Sequence, residues 1–168
     1  MSTVENPTVN YVYRIEDGSA GVRQTLYIMR DVVRRAAHDP DFIEFARGLL
    51  QGVPAKDWQR EILTLFHFVR NNIRYTLDPD ELELLATPER LLEIGAGDCD
   101  EMAMLLAALL KATGKPVRFL AVGFEAGDLS HVYVEVKNGD AWIPLDVTEP
   151  YAPGWEPEDI KERFRVNI

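Results

Sequence analysis

Cys99 is the sole cysteine of this 168-residue chain, and it lies where a helix is expected to begin. Asp98 and Glu101 match the Asp-x-x-Glu capping pattern, and the apolar run 102–112 follows them. Asp98 is therefore the predicted N-cap, so Cys99 falls in the first turn of a helix that is buried on most sides. The positive end of the helix dipole and the unpaired N–H groups there favour a thiolate, and they can also bind a developing oxyanion.

Some residues around Cys99 favour a reactive thiol and others oppose it. Gly95 and Gly97 are expected to leave the space above the sulfur free of side chains, whereas Asp98, Asp100 and Glu101 raise the pKa of a thiol by their negative charge. A lone cysteine is also often an inert core residue, which is the alternative interpretation. A nucleophilic Cys99 needs a cationic partner. With that partner we expect its pKa to fall below the ordinary ~8.5 and its reaction to be substantial already at about pH 6.

A predicted hairpin supplies that partner. Asn138-Gly139 is a strong signal for a two-residue turn, which places Lys137 opposite Asp140 and, counting back along both strands, His131 directly opposite Asp146. Directly opposed side chains have Cβ atoms about 4.5–5.5 Å apart. The carboxylate can then accept a hydrogen bond from the imidazole and favour its charged form. The alternative is a weak, solvent-facing cross-strand pair, but together with Cys99 the two residues form a candidate Cys–His–Asp triad.

The other histidines are weaker candidates. His67 lies between two phenylalanines in a predicted helix and is interpreted as structural, and His38 lies near a helix C-terminus, where a cation is favourable without any ligand. No residues show the spacing of a zinc site, and the acidic segment 78–81 lacks the spacing of an EF-hand. We therefore predict neither a metal nor a cofactor.

The apolar spacing predicts helices first and an antiparallel sheet afterwards, which is the α+β class. Ser19, Asp39 and Thr87 are the predicted N-caps, and proline follows the last two. Helices are predicted at residues 20–37, 40–52, 55–72, 88–95 and 99–112. Extended segments are predicted at residues 9–15, 73–76, 117–124, 131–137 and 141–147.

Composition limits the partners and the location. The net charge of −10 argues against nucleic-acid binding, and the cluster of arginines at positions 30, 34 and 35 is interpreted as a solvated helix face. The longest apolar run is too short for a membrane span, and the first residues lack the pattern of a signal peptide. One cysteine cannot form an internal disulfide. We therefore expect a cytoplasmic protein without a membrane or nucleic-acid partner.

Three separated segments resemble the transglutaminase-like superfamily, whose fold is papain-like. The nucleophile segment is Gly97-Asp98-Cys99-Asp100-Glu101-Met102-Ala103, the histidine strand is His131-Val132-Tyr133-Val134-Glu135-Val136, and the aspartate strand is Trp142-Ile143-Pro144-Leu145-Asp146-Val147-Thr148. The segment Val69-Arg70-Asn71-Asn72-Ile73-Arg74-Tyr75 resembles the helix end that precedes the cysteine. The resemblance covers roughly residues 55–150, and the order and spacing of the segments agree with it.

The resemblance implies a single domain over residues 1–168, with a helical elaboration at 1–54, a catalytic core at 55–150 and a C-terminal tail at 151–168. It implies Cys99 as nucleophile, His131 as base and Asp146 as orienting acid. We expect the protein to lack the extra domains of animal transglutaminases, because the chain is more similar to the small stand-alone members of bacteria and their phages.

The leading hypothesis is a hydrolase or acyltransferase that attacks an amide, peptide or isopeptide bond of a protein or peptide substrate and forms a thioester. The alternative is a catalytically silent binding or assembly module, for instance a phage structural component. The backbone N–H of Cys99 is the expected first oxyanion donor. Gln59, Asn72 and Tyr75 are all open as the second donor.

Overall fold

Helix α5 (Cys99–Ala112) is the element around which the chain folds. The computed structural model describes residues 16–77 and 85–168, and within them every residue from Glu101 to Leu110 is buried. A helix that is apolar on all sides must be covered on all sides. Four helices cover one part of it and an antiparallel sheet covers the rest.

The covering helices carry the apolar stripes that the sequence shows. They are α1 (Gly18–Ala36), α2 (Pro40–Leu49), α3 (Trp58–Asn72) and α4 (Pro88–Ile94), and all four contact α5. Asp39 and Thr87 cap α2 and α4 through their side chains, with proline at the first helical position of each, as the sequence predicts. Leu26, Met29 and Val33 of α1 are buried in the same core as α5, so the N-terminal helices are part of the packing unit.

The main sheet has four antiparallel strands. They are β3 (Val117–Gly123), β4 (His131–Asn138), β5 (Ala141–Leu145) and β6 (Glu162–Asn167), in the order β5-β4-β3-β6. One face packs on α5. On the other face Arg118 and Arg165 both donate to the buried carboxylate of Glu135. Helices followed by an antiparallel sheet confirm the predicted α+β class.

A short parallel pair lies beside the start of α5. It joins β1 (Arg74–Tyr75), which follows α3 directly, to β2 (Ala96–Gly97), which precedes Cys99 by one residue. Arg74 N–H donates to Gly95 O and Thr76 N–H donates to Gly97 O, both at 2.9 Å. The pair therefore ties the C-terminal end of α3 to the loop that carries the cysteine.

Several predicted boundaries need correction. Helix α1 begins at Gly18 after Asp17, so Ser19 does not cap it; the Ser19 hydroxyl donates to Gly127 O instead. Helix α3 begins three residues later than predicted, because the Asp57 side chain caps it by accepting from Arg60 N–H. The predicted strand at residues 9–15 lies outside the described residues. No helix among residues 16–77 and 85–168 is long and apolar enough to cross a bilayer.

The segment 151–168, predicted to be a tail, ends in a strand of the sheet. In β6, Val166 pairs with Phe119 of β3, and its side chain is 4% exposed within the main core. Its pattern of alternating exposed and less exposed residues is typical of an edge strand with one covered face. The assignment as a tail was therefore wrong for these residues.

The role of β6 predicts a stability effect. Val166→Ala should lower the free energy of unfolding by about 2 kcal/mol, because it removes two buried carbon groups and leaves a small cavity. Asn167→Ala, at the exposed neighbouring position, should change it by less than about 0.5 kcal/mol. Urea unfolding followed by circular dichroism measures both values. Equal, small effects of the two substitutions would contradict a structural role for β6.

Candidate functional site

Cys99 is the first residue of α5, as the capping pattern predicts. The Asp98 side chain accepts the N–H groups of Asp100 and Glu101, and the Glu101 side chain accepts the N–H of Asp98, so the reciprocal capping box is complete. The cap uses those two N–H groups and not that of Cys99. The nucleophile candidate is thus held at the positive end of a buried helix, next to a backbone donor outside the cap.

The glycines before Cys99 have packing roles that differ from the one expected. Gly95 adopts a left-handed conformation, with φ of +70°, and ends α4. A Cβ on Gly97 would lie 2.5 Å from Glu101 Oε2 and 2.8 Å from Leu91 Cδ1, so a larger residue there would displace two buried side chains. The buried Glu101 also accepts the N–H of Ala86 at 2.8 Å. These contacts fix the loop against α4 and α5.

His131 and Asp146 are in contact. His131 Nε2 lies 2.7 Å from Asp146 Oδ2, and because an ionised carboxylate only accepts, the ring N–H is the donor. The Asp146 side chain is 2% exposed. Its other oxygen accepts the N–H of Thr148 at 3.0 Å and the Thr148 hydroxyl at 2.7 Å. Hydrogen bonds to both of its oxygens therefore fix the Asp146 carboxylate. The carboxylate in turn orients the His131 ring through Nε2, so the other ring nitrogen, Nδ1, is available to another partner.

The hairpin register differs by two residues from the prediction. Asn138 pairs with Ala141 and Lys137 with Trp142, so the turn residues are Gly139 and Asp140. Gly139 has φ of +63° and Asp140 is not among the residues of positive φ, which matches a turn with glycine at its first central position rather than an Asn-Gly turn. The directly opposed placement was therefore wrong.

The two side chains meet in spite of this shift. Leu145, the last residue of β5, pairs with Val134, so Asp146 would continue the ladder opposite Tyr133, two residues from His131. A shift of two residues keeps side chains on the same face, whereas a shift of one would separate them. Asp146 therefore reaches His131 diagonally from the point where the strand ends.

Cys99 joins this pair through the backbone of β4. The N–H of Val132, the residue after His131, hydrogen-bonds to the Cys99 sulfur. The thiol also points its hydrogen toward Asp100 Oδ1 at 3.5 Å. The structure thus gathers Cys99, His131 and Asp146 at one end of α5, where β4 begins and β5 ends.

The thiol itself is not activated at rest. Burial, and then the charges of Asp100 and Asp98, raise the pKa of Cys99 well above its ordinary value, and the N–H of Val132 offsets only part of this. This direction is opposite to the expected fall of the pKa, while the expected reaction at about pH 6 stays a prediction. The first cause is burial of the sulfur, and the second is Asp100, which accepts the thiol hydrogen and lies against the sulfur.

The histidine is the group with the shift expected of a base. Burial alone would lower the pKa of His131, but the hydrogen bond and charge of Asp146 outweigh it and raise the pKa above its ordinary value. Burial alone would raise the pKa of Asp146, but the hydrogen bonds from His131 and Thr148 lower it. The carboxylate therefore stays ionised and supports an imidazolium.

Arg70 holds the segment that carries Asp146. Its guanidinium donates to Asp146 O at 2.9 Å and to Glu149 O, and it lies 4.4 Å from the Phe66 ring centroid. Sequence reasoning placed Arg70 only within a motif and missed this role, as it missed Thr148 and the N–H of Val132. These contacts join residues far apart in the chain or use backbone atoms, so no local pattern signals them.

The other residues considered from the sequence lie elsewhere. His38 Nδ1 is 2.6 Å from Arg34 O at the end of α1, and His67 is exposed on α3 with its ring edge against Phe66. Among the described residues, Asp98, Cys99 and Asp100 are the one group whose potential metal-ligand atoms lie within 4.8 Å of one another. Asp98 is already engaged in the helix cap.

The chain matches a family model. The model of the transglutaminase-like superfamily matches residues 43–147, which include the cysteine, the histidine and the aspartate. No curated protein sequence matches the chain.

Solved structures show the same fold at low identity. A protein of Cytophaga hutchinsonii described as a candidate cysteine protease has a TM-score of 0.54 at 19% identity, over 75% of this chain and 46% of that one. LapG of Legionella pneumophila has a TM-score of 0.52 at 18% identity, over 72% of this chain and 71% of LapG. Rad4–Rad23 bound to a 6-4 photoproduct UV lesion has a TM-score of 0.53 at 15% identity, over 79% and 38%. This chain thus spans less than half of the Cytophaga protein.

The His131–Asp146 contact predicts a titration. In Asp146→Asn the pKa of His131 should fall below about 6.5, because the charge is gone while burial still disfavours the imidazolium. In the wild type it should lie above that value. Proton NMR of the His131 ring measures both. A His131 pKa that is equal in both proteins would show that the contact does not form in solution.

The Cys99–Asp100 contact predicts a shift in thiol reactivity. Asp100→Asn removes a negative charge that raises the thiol pKa, so at any pH below that pKa a larger fraction of Cys99 is thiolate. The rate of alkylation by iodoacetamide, followed by mass spectrometry, should therefore rise at lower pH than in the wild type. Asp140→Asn, on the exposed hairpin turn, is the matched control. A profile that does not move in Asp100→Asn would exclude Asp100 as the cause.

Proposed function

Because this chain belongs to the transglutaminase-like superfamily, we propose that it is a cysteine-dependent enzyme that opens an amide, peptide or isopeptide bond through a thioester. The observation that carries the proposal is the His131–Asp146 contact at the N-terminus of the helix that begins with Cys99. A protein or peptide is the substrate class. Cys99 is the nucleophile, His131 the general base and acid, and Asp146 the orienting acid.

In this mechanism the thiol loses its proton as it attacks. The raised pKa of Cys99 makes the neutral thiol the resting form, so His131 Nδ1 takes the proton while the sulfur approaches the carbonyl carbon. The new C–S bond sends an electron pair to the carbonyl oxygen, which the N–H of Cys99 stabilises. The imidazolium, supported by Asp146, then protonates the leaving amine as the C–N bond breaks.

The thioester has two fates. Water, deprotonated by His131, attacks the thioester carbonyl and releases the acid and the thiol, which makes the enzyme a hydrolase. A primary amine that attacks instead forms a new amide, which makes it an acyltransferase. Both routes use the same three residues, so the access of amines to the cleft decides between them.

The alternative is a silent binding or assembly module, such as a phage structural component. The Rad4–Rad23 complex on damaged DNA is one case in which a chain with this fold occurs in a binding assembly. The His131–Asp146 contact, with the Cys99 sulfur bound to the N–H of the residue after His131, favours the enzyme. The net charge of −10 favours a partner other than nucleic acid. A reducing compartment such as the cytoplasm would keep Cys99 as a free thiol.

Acylation of the single cysteine tests the proposal without a known substrate. With p-nitrophenyl acetate, the wild type should release p-nitrophenolate and carry an acetyl group on Cys99, detected by mass spectrometry. Cys99→Ala should show no acetylation at that residue. His131→Ala should acylate about 100-fold more slowly, since general-base catalysis contributes roughly 10²–10⁴. An acylation rate no greater than that of a free thiol with the same thiolate fraction would favour the silent module.

Two further measurements on the same reaction distinguish the possible mechanisms. Adding a primary amine, such as glycine ethyl ester, and measuring the ratio of amide to acetate separates the acyltransferase from the hydrolase. Repeating the reaction in EGTA and in added calcium separates the metal-free reaction expected from the sequence from a cation-assisted one. The second arm is informative because LapG has been solved in EGTA-treated and calcium-bound forms.

A further inference from the structure

We infer that the hydroxyl of Tyr75 is the second donor of the oxyanion site, beside the backbone N–H of Cys99. The inference deepens the proposed function and rests on it. Sequence reasoning left three candidates open, namely Gln59, Asn72 and Tyr75. The structure separates them by position and by hydrogen bonding.

Gln59 and Asn72 are both unsuitable. Gln59 lies in the first turn of α3, whereas Arg70, near the other end of the helix, is the residue that contacts the Asp146 segment. Eleven residues of helix separate Gln59 from Arg70, which is about 16 Å at 1.5 Å per residue. Asn72 is at the correct end, but its side-chain N–H donates to Phe68 O at 2.8 Å within its own helix.

The small parallel sheet places the backbone of Tyr75 beside the loop that leads to Cys99. In the pairing of β1 with β2, Tyr75 is the partner of Gly97, two residues before Cys99. The N–H groups of Arg74 and Thr76, on either side, donate to Gly95 and Gly97 and fix this register. The Tyr75 side chain is 47% exposed, so it lines an open surface that a substrate carbonyl can reach.

The phenol is close enough to the candidate site to feel its charges. Cys99, Asp98, Glu149 and Asp146 all act electrostatically on it. Burial and then these charges raise the pKa of Tyr75, so the phenol stays protonated and remains a donor at every pH at which His131 can act as a base. A neutral donor also suits this acidic site, because it adds no charge that would form an ion pair with the carboxylates.

Tyr75 acts at the step in which the oxyanion forms. When Cys99 attacks an acyl carbonyl, the S–C bond forms, the C=O π pair moves to oxygen, and the thiol proton passes to His131. The Tyr75 hydroxyl donates to that oxygen more strongly as its charge grows. Collapse restores the C=O bond and breaks the bond to the leaving group. Alkylation by iodoacetamide displaces iodide at a saturated carbon and creates no oxyanion.

This difference gives the test. Tyr75→Phe should slow acylation of Cys99 by p-nitrophenyl acetate by about 10²-fold, the lower end of the range for loss of one oxyanion donor. Its rate of alkylation by iodoacetamide should stay within about twofold of the wild type at each pH, because the thiol and His131 are intact. Tyr151→Phe is the matched control. Tyr151 is also 47% exposed, but its ring stacks on Trp155, and both of its rates should equal those of the wild type.

Each other outcome overturns the inference. Equal losses in acylation and alkylation would mean that Tyr75 acts on the thiol or on the fold, and unfolding in urea would separate those two cases. An unchanged acylation rate in Tyr75→Phe, in a protein whose wild type acylates rapidly, would remove Tyr75 alone and leave the proposed enzyme standing. A wild type that acylates no faster than an ordinary thiol would remove the proposed function and the oxyanion site together.

Discussion

The burial of α5 is the constraint on which the rest of the structure depends. A helix with Glu101–Leu110 entirely buried needs cover on every side, and the chain supplies α1–α4 on one part of it and the sheet on the other. Only the ends of such a helix remain accessible. Cys99 occupies the N-terminal end, where β4 begins and β5 stops, so the same packing that stabilises the domain also selects the place of the site.

Local sequence signals were sufficient to predict the segment that carries Cys99. Features of the site that depend on contacts between distant residues could not be predicted. The capping box spans four residues and is encoded by Asp98 and Glu101 alone, so the sequence was sufficient to place Cys99 at the helix start. The predicted hairpin turn was one residue from its position, which shifts the strand register by two, because Gly139 and not Asn138 takes the positive φ. The predicted His131–Asp146 contact still forms, because a register shift of two residues leaves both side chains on the same face of the sheet. The contact of Arg70 with Asp146 O joins residues 76 positions apart and has no local signal.

The prediction of the thiol pKa failed for a different reason. From the sequence, we expected the helix dipole and His131 to lower the pKa of Cys99 and three nearby carboxylates to raise it. The net shift depends on where each carboxylate points. In the fold, Glu101 turns inward to bind the N–H of Ala86, while Asp100 lies against the sulfur. Burial raises the pKa of Cys99 most, and the charges of Asp100 and Asp98 add to it. The site therefore combines a histidine whose charged form Asp146 supports with a thiol whose surroundings favour its neutral form.

That resting state has a consequence for the lifetime of the protein. Peroxides oxidise the thiolate, and the first product, sulfenic acid, leads on to irreversible sulfinic and sulfonic acids. A partly buried Cys99 whose hydrogen is directed to Asp100 presents little thiolate to such oxidants. The contact with Asp100 thus also protects the one sulfhydryl group of the chain from oxidative damage.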